Sequence, residues 1–254
     1  MKEKWRLLET KDETAFTNMA IDRAVLVTSS KGLVPPTVWF FSWKPSAISI
    51  GYFQSLEEEV DLDMCKKLGV DYIRRITGGG SVFHESELTY SIVIPESHLQ
   101  IPKNIIASYA RICGALIIGL KQLGIKSKYV PINDIIIDGK KISGNAQTRK
   151  MRTVLQHGTI LIDVDIEKMF SLLKVPDEKI KDKFIANVKD RVTSIRHVLG
   201  EEITFYDVAE AMKKGFEEEF NVELVEGSLT PEELELTRKF EEECFSTKEW
   251  NHRR

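Results

Sequence analysis

The apolar positions of this chain switch between two periods. Residues 15–29 repeat Phe16, Met19, Ala20, Ala24 and Val25 at helical spacing. TVWFF (37–41) and SAISIGY (46–52) are short apolar runs and predict buried strands. Over 56–68 the apolar face is Val60, Met64 and Leu68, and Gly69 supplies a helix-ending glycine. Strands are predicted at 70–76 and 88–94, with Pro95 stopping the second, and a helix at 103–123, ending before Gly124. In IIIDGKKI (135–142), Asp138-Gly139 offers the two positive-φ residues of a tight hairpin, and GTILID (158–163) is the next strand. After Asp163 helices dominate, at about 165–173, 177–188, 205–220 and 231–244. Thr204 with Asp207, and Thr230 with Pro231 and Glu233, are capping-box starts. The pattern predicts an α+β fold, one mixed β-sheet flanked by helices. It forms a single domain over 1–254 with a helical C-terminal part from about 165 to 254.

Composition narrows the classes. With 254 residues, 42% of them hydrophobic, the chain can bury a core without disulfides or metal. Lys and Arg number 36 against 39 Asp and Glu, so no basic bias points to nucleic acid. The cysteines, Cys65, Cys113 and Cys244, lie far apart with no metal or redox spacing, which fits a reducing compartment. The N-terminus lacks a signal-like apolar run, and the longest apolar stretch, Ile112 to Leu120, is short for a membrane span. The expectation is a soluble cytoplasmic protein with neither nucleic acid nor membrane as partner.

Three segments carry candidate chemistry. The first is RRITGGGSVFH, from Arg74 and Arg75 through Thr77, Gly78, Gly79, Gly80 and Ser81 to His84. Consecutive glycines bring bare N–H groups against a ligand, and two guanidiniums add fixed positive charge. The combination favours a phosphate or carboxylate site over a plain glycine hairpin with solvated arginines. The second is NDIIIDGKKISG, with Asn133, Asp134, Lys140, Lys141, Ser143 and Gly144. Strand alternation puts Lys141 and Ser143 on one face and Lys140 and Ile142 on the other. One lysine can then face a cleft and stabilise charge on an acyl or phosphoryl oxygen, although paired lysines also protect edge strands. The third is His157 in QHG, which alone reads as an ordinary hydrogen-bonding residue. No cysteine looks activated, and Cys113 sits inside the apolar run ICGALIIGL.

Together, RRITGGGSVFH, NDIIIDGKKISG and QHGTIL, supported by GYFQSLEEEVDLD and the ending STKEWN, resemble the lipoate–protein ligase family. That group also takes in biotin ligases and octanoyltransferases, and the likeness runs from about residue 5 to 251. The resemblance implies a mixed-sheet catalytic domain flanked by helices. It also implies a reaction. ATP activates lipoate to lipoyl-adenylate, and the lipoyl group passes to a lysine of a lipoyl carrier domain. Such carriers are 2-oxoacid dehydrogenase E2 subunits and the glycine cleavage H protein. Lys141, the last lysine before Ile-Ser-Gly, matches the family's essential lysine and would hold the carbonyl and phosphate oxygens. Arg74, Arg75, Thr77, the three glycines and Ser81 would lie along the lipoyl chain and phosphate. Ser143 and Gly144 belong to the same substrate-binding set, and His84 and His157 would line the acyl pocket or position the carbonyl. Asn133 and Asp134 would meet the nucleotide, with Asp134 a candidate ligand for Mg²⁺.

The resemblance also forks. A cysteine-dependent octanoyltransferase branch moves octanoate from acyl carrier protein through a thioester, on a cysteine just before the catalytic lysine. Residues 125–140 contain no cysteine, which favours the ligase, with octanoyltransferase and transfer-only lipoyltransferase as alternatives. The small accessory domain that many such ligases carry has no counterpart here, so the expectation is that the chain does without it, that a separate accessory polypeptide supplies it, or that only transfer from preformed adenylate occurs.

Overall fold

The computed structural model describes residues 2–8, 12–174 and 181–253. Strands β1 (Glu3–Leu8) and β2 (Asp12–Glu13) precede helix α1 (Ala15–Ser30). Thr14 caps α1 by accepting the N–H of Thr17. Strands β3 (Thr37–Trp43) and β4 (Ala47–Ile50) follow as predicted. The helix predicted over 56–68 is two pieces, α2 (Leu56–Glu59) and α3 (Leu62–Leu68). Val60 leaves the helix to bridge with Leu173, and Asp61 caps α3. The break shifts the helical phase, so Leu56, Val60 and Cys65 are buried while Leu68 is exposed. Gly69 closes α3 with a φ of 64°.

Next come β5 (Asp71–Arg74), β6 (Val82–His84), β7 (Glu87–Pro95), α4 (Ile105–Gln122), β8 (Lys128–Val130), β9 (Asp134–Ile137), β10 (Lys140–Lys150) and β11 (Thr153–Leu161). Asp138 and Gly139, at φ 48° and 84°, make the predicted β9–β10 turn. The C-terminal part holds α5 (Ile166–Leu172), α6 (Lys181–Arg191), α7 (Ile195–Leu199), α8 (Phe205–Phe220), β12 (Val222–Gly227), α9 (Pro231–Phe240) and α10 (Lys248–Asn251). Of the helix predicted over 177–188, positions 177–180 lie outside the described residues. Both capping boxes form. Strand β12 departs from the all-helical expectation, because it pairs in parallel with β1 from Glu3–Val222 to Leu8–Gly227.

Among the described residues the main sheet runs β12-β1-β3-β7-β11-β10-β9-β8, with β2 beside β3. The β12, β1 and β3 pairings are parallel and the remainder of that path is antiparallel. This is the mixed sheet flanked by helices expected from the pattern. Strand β3 shows why TVWFF lacks alternation. Val38 and Phe40 enter the core under α4 and α8, while Trp39, Phe41 and Trp43 enter the one under α1. A sheet covered on both faces needs apolar residues at every position. Helix α4 has the length and apolarity of a membrane span but packs as a core helix. It meets α8 so closely that a Cβ on Gly215 would lie 2.1 Å from the Ala115 carbonyl oxygen. A three-stranded sheet, β5-β4-β6, sends Ala47 and Ile73 into the core cluster that α1 covers.

Candidate active site

The two sheets and α1 enclose a cavity of ≈ 160 Å³. Met19 comes from α1, Trp43 from β3, Ser49 from β4 and His84 from β6. Thr89, Lys141, Ala146, His157 and Thr159 come from β7, β10 and β11, and Arg75 with Gly79–Ser81 closes the remaining side. The three motif segments therefore converge on one space.

The adjacent arginines do different things. Arg75 is 5% exposed and lines the cavity. Its Nη1 donates to the Ser49 carbonyl at 3.0 Å and to Ser49 Oγ at 3.1 Å, and its Nη2 to the carbonyls of Gly78 and Gly80 at 2.8 and 2.7 Å. Burial lowers its pKa to about 10, so it remains charged at neutral pH. Among the described residues no carboxylate forms an ion pair with it. Arg74 corrects the expectation of a ligand contact. It is fully buried and its guanidinium donates to the carbonyls of Gly51, Tyr52, Gln54, Trp250 and Asn251 at 2.5–3.3 Å. Successive residues of a strand point to opposite faces, so only one of the pair can face the cavity.

The glycine loop is shaped by close approach. Gly79 has a φ of 97°, and a Cβ there would sit 2.8 Å from Arg75 Nη2. A Cβ on Gly51 would sit 2.0 Å from the Gly79 oxygen. Gly79 and Gly80 line the cavity, and their N–H groups meet no acceptor among the described residues. Thr77 and Gly78 are corrected as direct contacts: neither lines the cavity. Thr77 turns its hydroxyl to His157, and Gly78 gives its carbonyl to Arg75.

Lys141 lines the cavity and pairs with Asp134, Nζ to Oδ1, at 2.7 Å. The contact is one of charge, because the geometry at Oδ1 is not that of a directed hydrogen bond. The face-sharing of Lys141 with Ser143 fails. A bulge falls between them, since Lys141 pairs with Ile136 and Ser143 with Ile135. The extra residue reverses the alternation, so Ser143 is fully buried outside the cavity lining. Gly144 shares the Lys141 side instead: a Cβ on it would lie 2.9 Å from Lys141 Cε and Nζ. Asn133 lines the cavity, but its side chain is spent on Asn145, donating to that carbonyl at 2.6 Å. Asp134 does not line the cavity and its carboxylate is engaged by Lys141, which corrects its role as a magnesium ligand. Among the described residues no three His, Cys, Asp or Glu side chains stand together as a metal site. The described residues therefore form no all-protein cage for Mg²⁺.

Both histidines are buried in the cavity wall. His84 Nδ1 lies 2.7 Å from Glu87 Oε1, its Nε2 lies 2.8 Å from Ser49 Oγ, and its ring stacks on Trp43 at 3.9 Å. Burial pushes its pKa down, against the opposing pull of Glu87, and Arg75 and His157 push it further down. His157 Nδ1 lies 2.7 Å from Asp22 Oδ2, and its Nε2 2.7 Å from Thr77 Oγ1. No cysteine lines the cavity. Burial raises Cys65 to about 11 and Cys113 to about 12, and raises Cys244 as well, so all three thiols stay protonated at neutral pH.

The sequence reading missed Asp22, Ser49 and Glu87. Asp22 lies three positions after Met19 on the buried side of α1, and Glu87 three positions after His84. For Asp22 the available signal was a carboxylate inside an apolar helix face, whereas Glu87, in the polar stretch HESELT, carried none.

A catalytic domain built to bring an acyl donor to an amine fits this arrangement of fold and cavity. The pattern of the lipoyl protein ligase A/B catalytic domain matches residues 14–217, and the chain belongs to that family. It is 36% identical over 275 residues to octanoyltransferase LipM of Brevibacillus brevis, covering 99% of this chain and all of that one. It is 37% identical over 269 residues to octanoyltransferase LipM of Clostridioides difficile, covering 98% and 99%. Its fold superposes with a TM-score of 0.89 on the bi-partite lipoate protein ligase of Thermoplasma acidophilum, solved with its E2 lipoyl domain. That pair is 30% identical, over 99% of this chain and 96% of the other. The chain is an enzyme of acyl or lipoyl transfer. The names of its curated relatives favour the octanoyl alternative over the ATP-dependent ligase expected from the motifs.

Proposed function

We propose that the protein transfers a lipoyl group, entering as its adenylate, to a lysine of a lipoyl carrier domain. One observation carries this reading. Lys141, Arg75, Gly79 and Gly80 line a cavity that no thiol lines, and the Gly79 and Gly80 N–H groups meet no acceptor among the described residues. An adenylate places an anionic phosphate beside the reacting carbonyl, and two cations with backbone donors suit that charge. A thioester relay needs a thiolate, and the three thiols are protonated and placed elsewhere. The bi-partite ligase among the similar structures supports a separate accessory polypeptide for the ATP-dependent step. Transfer from supplied lipoyl-adenylate should then be faster than from lipoate plus ATP when this chain acts alone.

A second reading, transfer of octanoate from acyl carrier protein, is favoured by the names of the full-length relatives. The deciding measurement is the intact mass of a lipoyl domain after incubation with the protein and one donor. The donors are lipoyl-adenylate and octanoyl acyl carrier protein. Modification from the adenylate alone, retained after all three cysteines become serine, supports the ligase route. Modification from the carrier alone, lost in that variant, replaces it with the octanoyltransferase.

A further inference from the structure

Asp22 and Glu87 are 1% and 4% exposed, and neither lines the cavity. Each is linked through one imidazole to a hydroxyl, that of Thr77 at the start of the glycine loop and that of Ser49 on β4, which reaches the loop through Arg75. Both carboxylates contact Nδ1. A carboxylate only accepts, so Nδ1 carries a proton, and in the neutral imidazole Nε2 then accepts. The Thr77 hydroxyl therefore donates to His157, and the Ser49 hydroxyl donates to His84. With its proton committed, Ser49 Oγ is left to accept from Arg75 Nη1, and Arg75 Nη2 holds the carbonyls of Gly78 and Gly80. One relay ends at Thr77, where the loop starts, and the other ends on its middle.

We propose that Asp22 and Glu87 are positioning residues that hold the glycine loop through His157 and His84, so that its free N–H groups stay aimed at the charged end of the acyl donor. The ligand side of this inference rests on the function proposed above. The loop side does not.

Glu87 permits a sharp test. Its Oε2 accepts the N–H of Glu85 at 2.8 Å. In Glu87→Gln the amide oxygen must stay on that N–H, which turns the NH₂ group towards His84. A donor facing Nδ1 moves the ring proton to Nε2, and the direction of the whole relay reverses. Ser49 then has a proton to place against Arg75. At the other relay, Thr77→Val removes the hydroxyl at nearly constant shape, whereas Thr77→Ser keeps it.

Two readouts are used on the full chain. Hydrogen exchange followed by mass spectrometry on the ligand-free protein reads peptides spanning 76–82. Steady-state transfer to a lipoyl domain reads KM for the acyl donor separately from kcat. Glu87→Gln and Thr77→Val should speed exchange in those peptides and raise donor KM about tenfold with kcat little changed, the loss of one ordered hydrogen bond. Thr77→Ser should behave as wild type. Unchanged loop exchange in both variants, or equal impairment in Thr77→Ser and Thr77→Val, overturns the proposal. If wild type uses neither donor, the functional reading falls, and loop exchange still decides this one. If Glu87→Gln does not fold, the Thr77 pair decides it.

Discussion

Arg74 and Arg75 are neighbours in sequence, yet they serve two regions with opposite demands. Around Arg74 the chain closes on itself. The 51–54 loop and the C-terminal α10 supply five carbonyls to one guanidinium, Asn251 Oδ1 accepts the Arg74 N–H, and Trp250 Nε1 donates to the Arg74 carbonyl. Around Arg75 the chain stays open. The guanidinium holds the glycine loop but borders a cavity, and among the described residues no carboxylate pairs with its charge. The first region spends its cation on assembly, whereas the second keeps charge available to a ligand. A charged pair in a motif is thus divided by the strand pleat into a brace and a site residue.

The largest effect should come from breaking the brace. Arg74→Ala would leave several buried carbonyls without donors, at about 1–3 kcal/mol each, so we expect more than about 4 kcal/mol of lost stability. Urea melts should show it, and Arg74→Lys should recover little because one ammonium cannot reach carbonyls from both segments. Arg75→Lys should melt closer to wild type and lose donor affinity instead. A melt for Arg74→Ala that matches wild type would erase the distinction between the regions.

Next comes Lys141→Ala, which should leave the melt almost unchanged and raise the transfer barrier by about 2.7–4 kcal/mol. Lys140→Ala should cost little, since Lys140 is absent from the cavity lining. Single-turnover transfer from supplied adenylate measures both. Equal losses would mean that the β9–β10 hairpin matters as a whole and that no single ammonium does.

The boundary between brace and site also separates what the sequence made legible. Helices α1, α4, α8 and α9 and the β9–β10 turn follow from periodicity, caps and Asp138-Gly139, because those signals are local. The convergence of RRITGGGSVFH, KISG and QHG on one cavity was legible through motif order. Three things were not. Strand β12 forms because β1 has an open edge, a partner 219 positions away by the Glu3–Val222 register. The bulge after Lys141 reverses side-chain parity and has no residue signature, so Ser143 was placed on the wrong face. Arg74 and Arg75 could not be ranked without knowing which carbonyls the C-terminus returns to that strand.

Gly144→Ala sharpens the comparison at smaller scale. The new Cβ would sit 2.9 Å from Lys141 Cε and Nζ, the flexible end of that side chain. The lysine can swing away cheaply, so stability should hardly move. If Lys141 acts as proposed, displacing its ammonium by about an ångström should still slow transfer, by up to about a hundredfold. A Gly144→Ala enzyme with wild-type rate would show that Lys141 works from a range of positions.

The smallest effect is a slope with pH. His84 has its pKa lowered by burial from an ordinary 6.5. Below pH 6.5 the unfolded chain takes up a proton that the folded chain refuses, so the unfolded state binds more protons and stability falls with pH. One such group gives at most about 1.4 kcal/mol per pH unit. Glu233 of α9, which accepts from Arg6 of β1 and Thr28 of α1 and so anchors α9 to the sheet and to α1, behaves otherwise. Burial alone would raise its pKa, but Arg6, the Thr230 N–H and Thr28 together bring it below the ordinary 4.5. Its contribution is intact above pH 4.5 and is lost only as pH falls further. Urea melts at pH 7.5, 6.5 and 5.5 should therefore report the cavity wall and not the anchor. His84→Gln should flatten the wild-type slope over that range, whatever its own cost in stability. A slope that survives in His84→Gln would assign it to another histidine and remove His84 as the titrating group of the site.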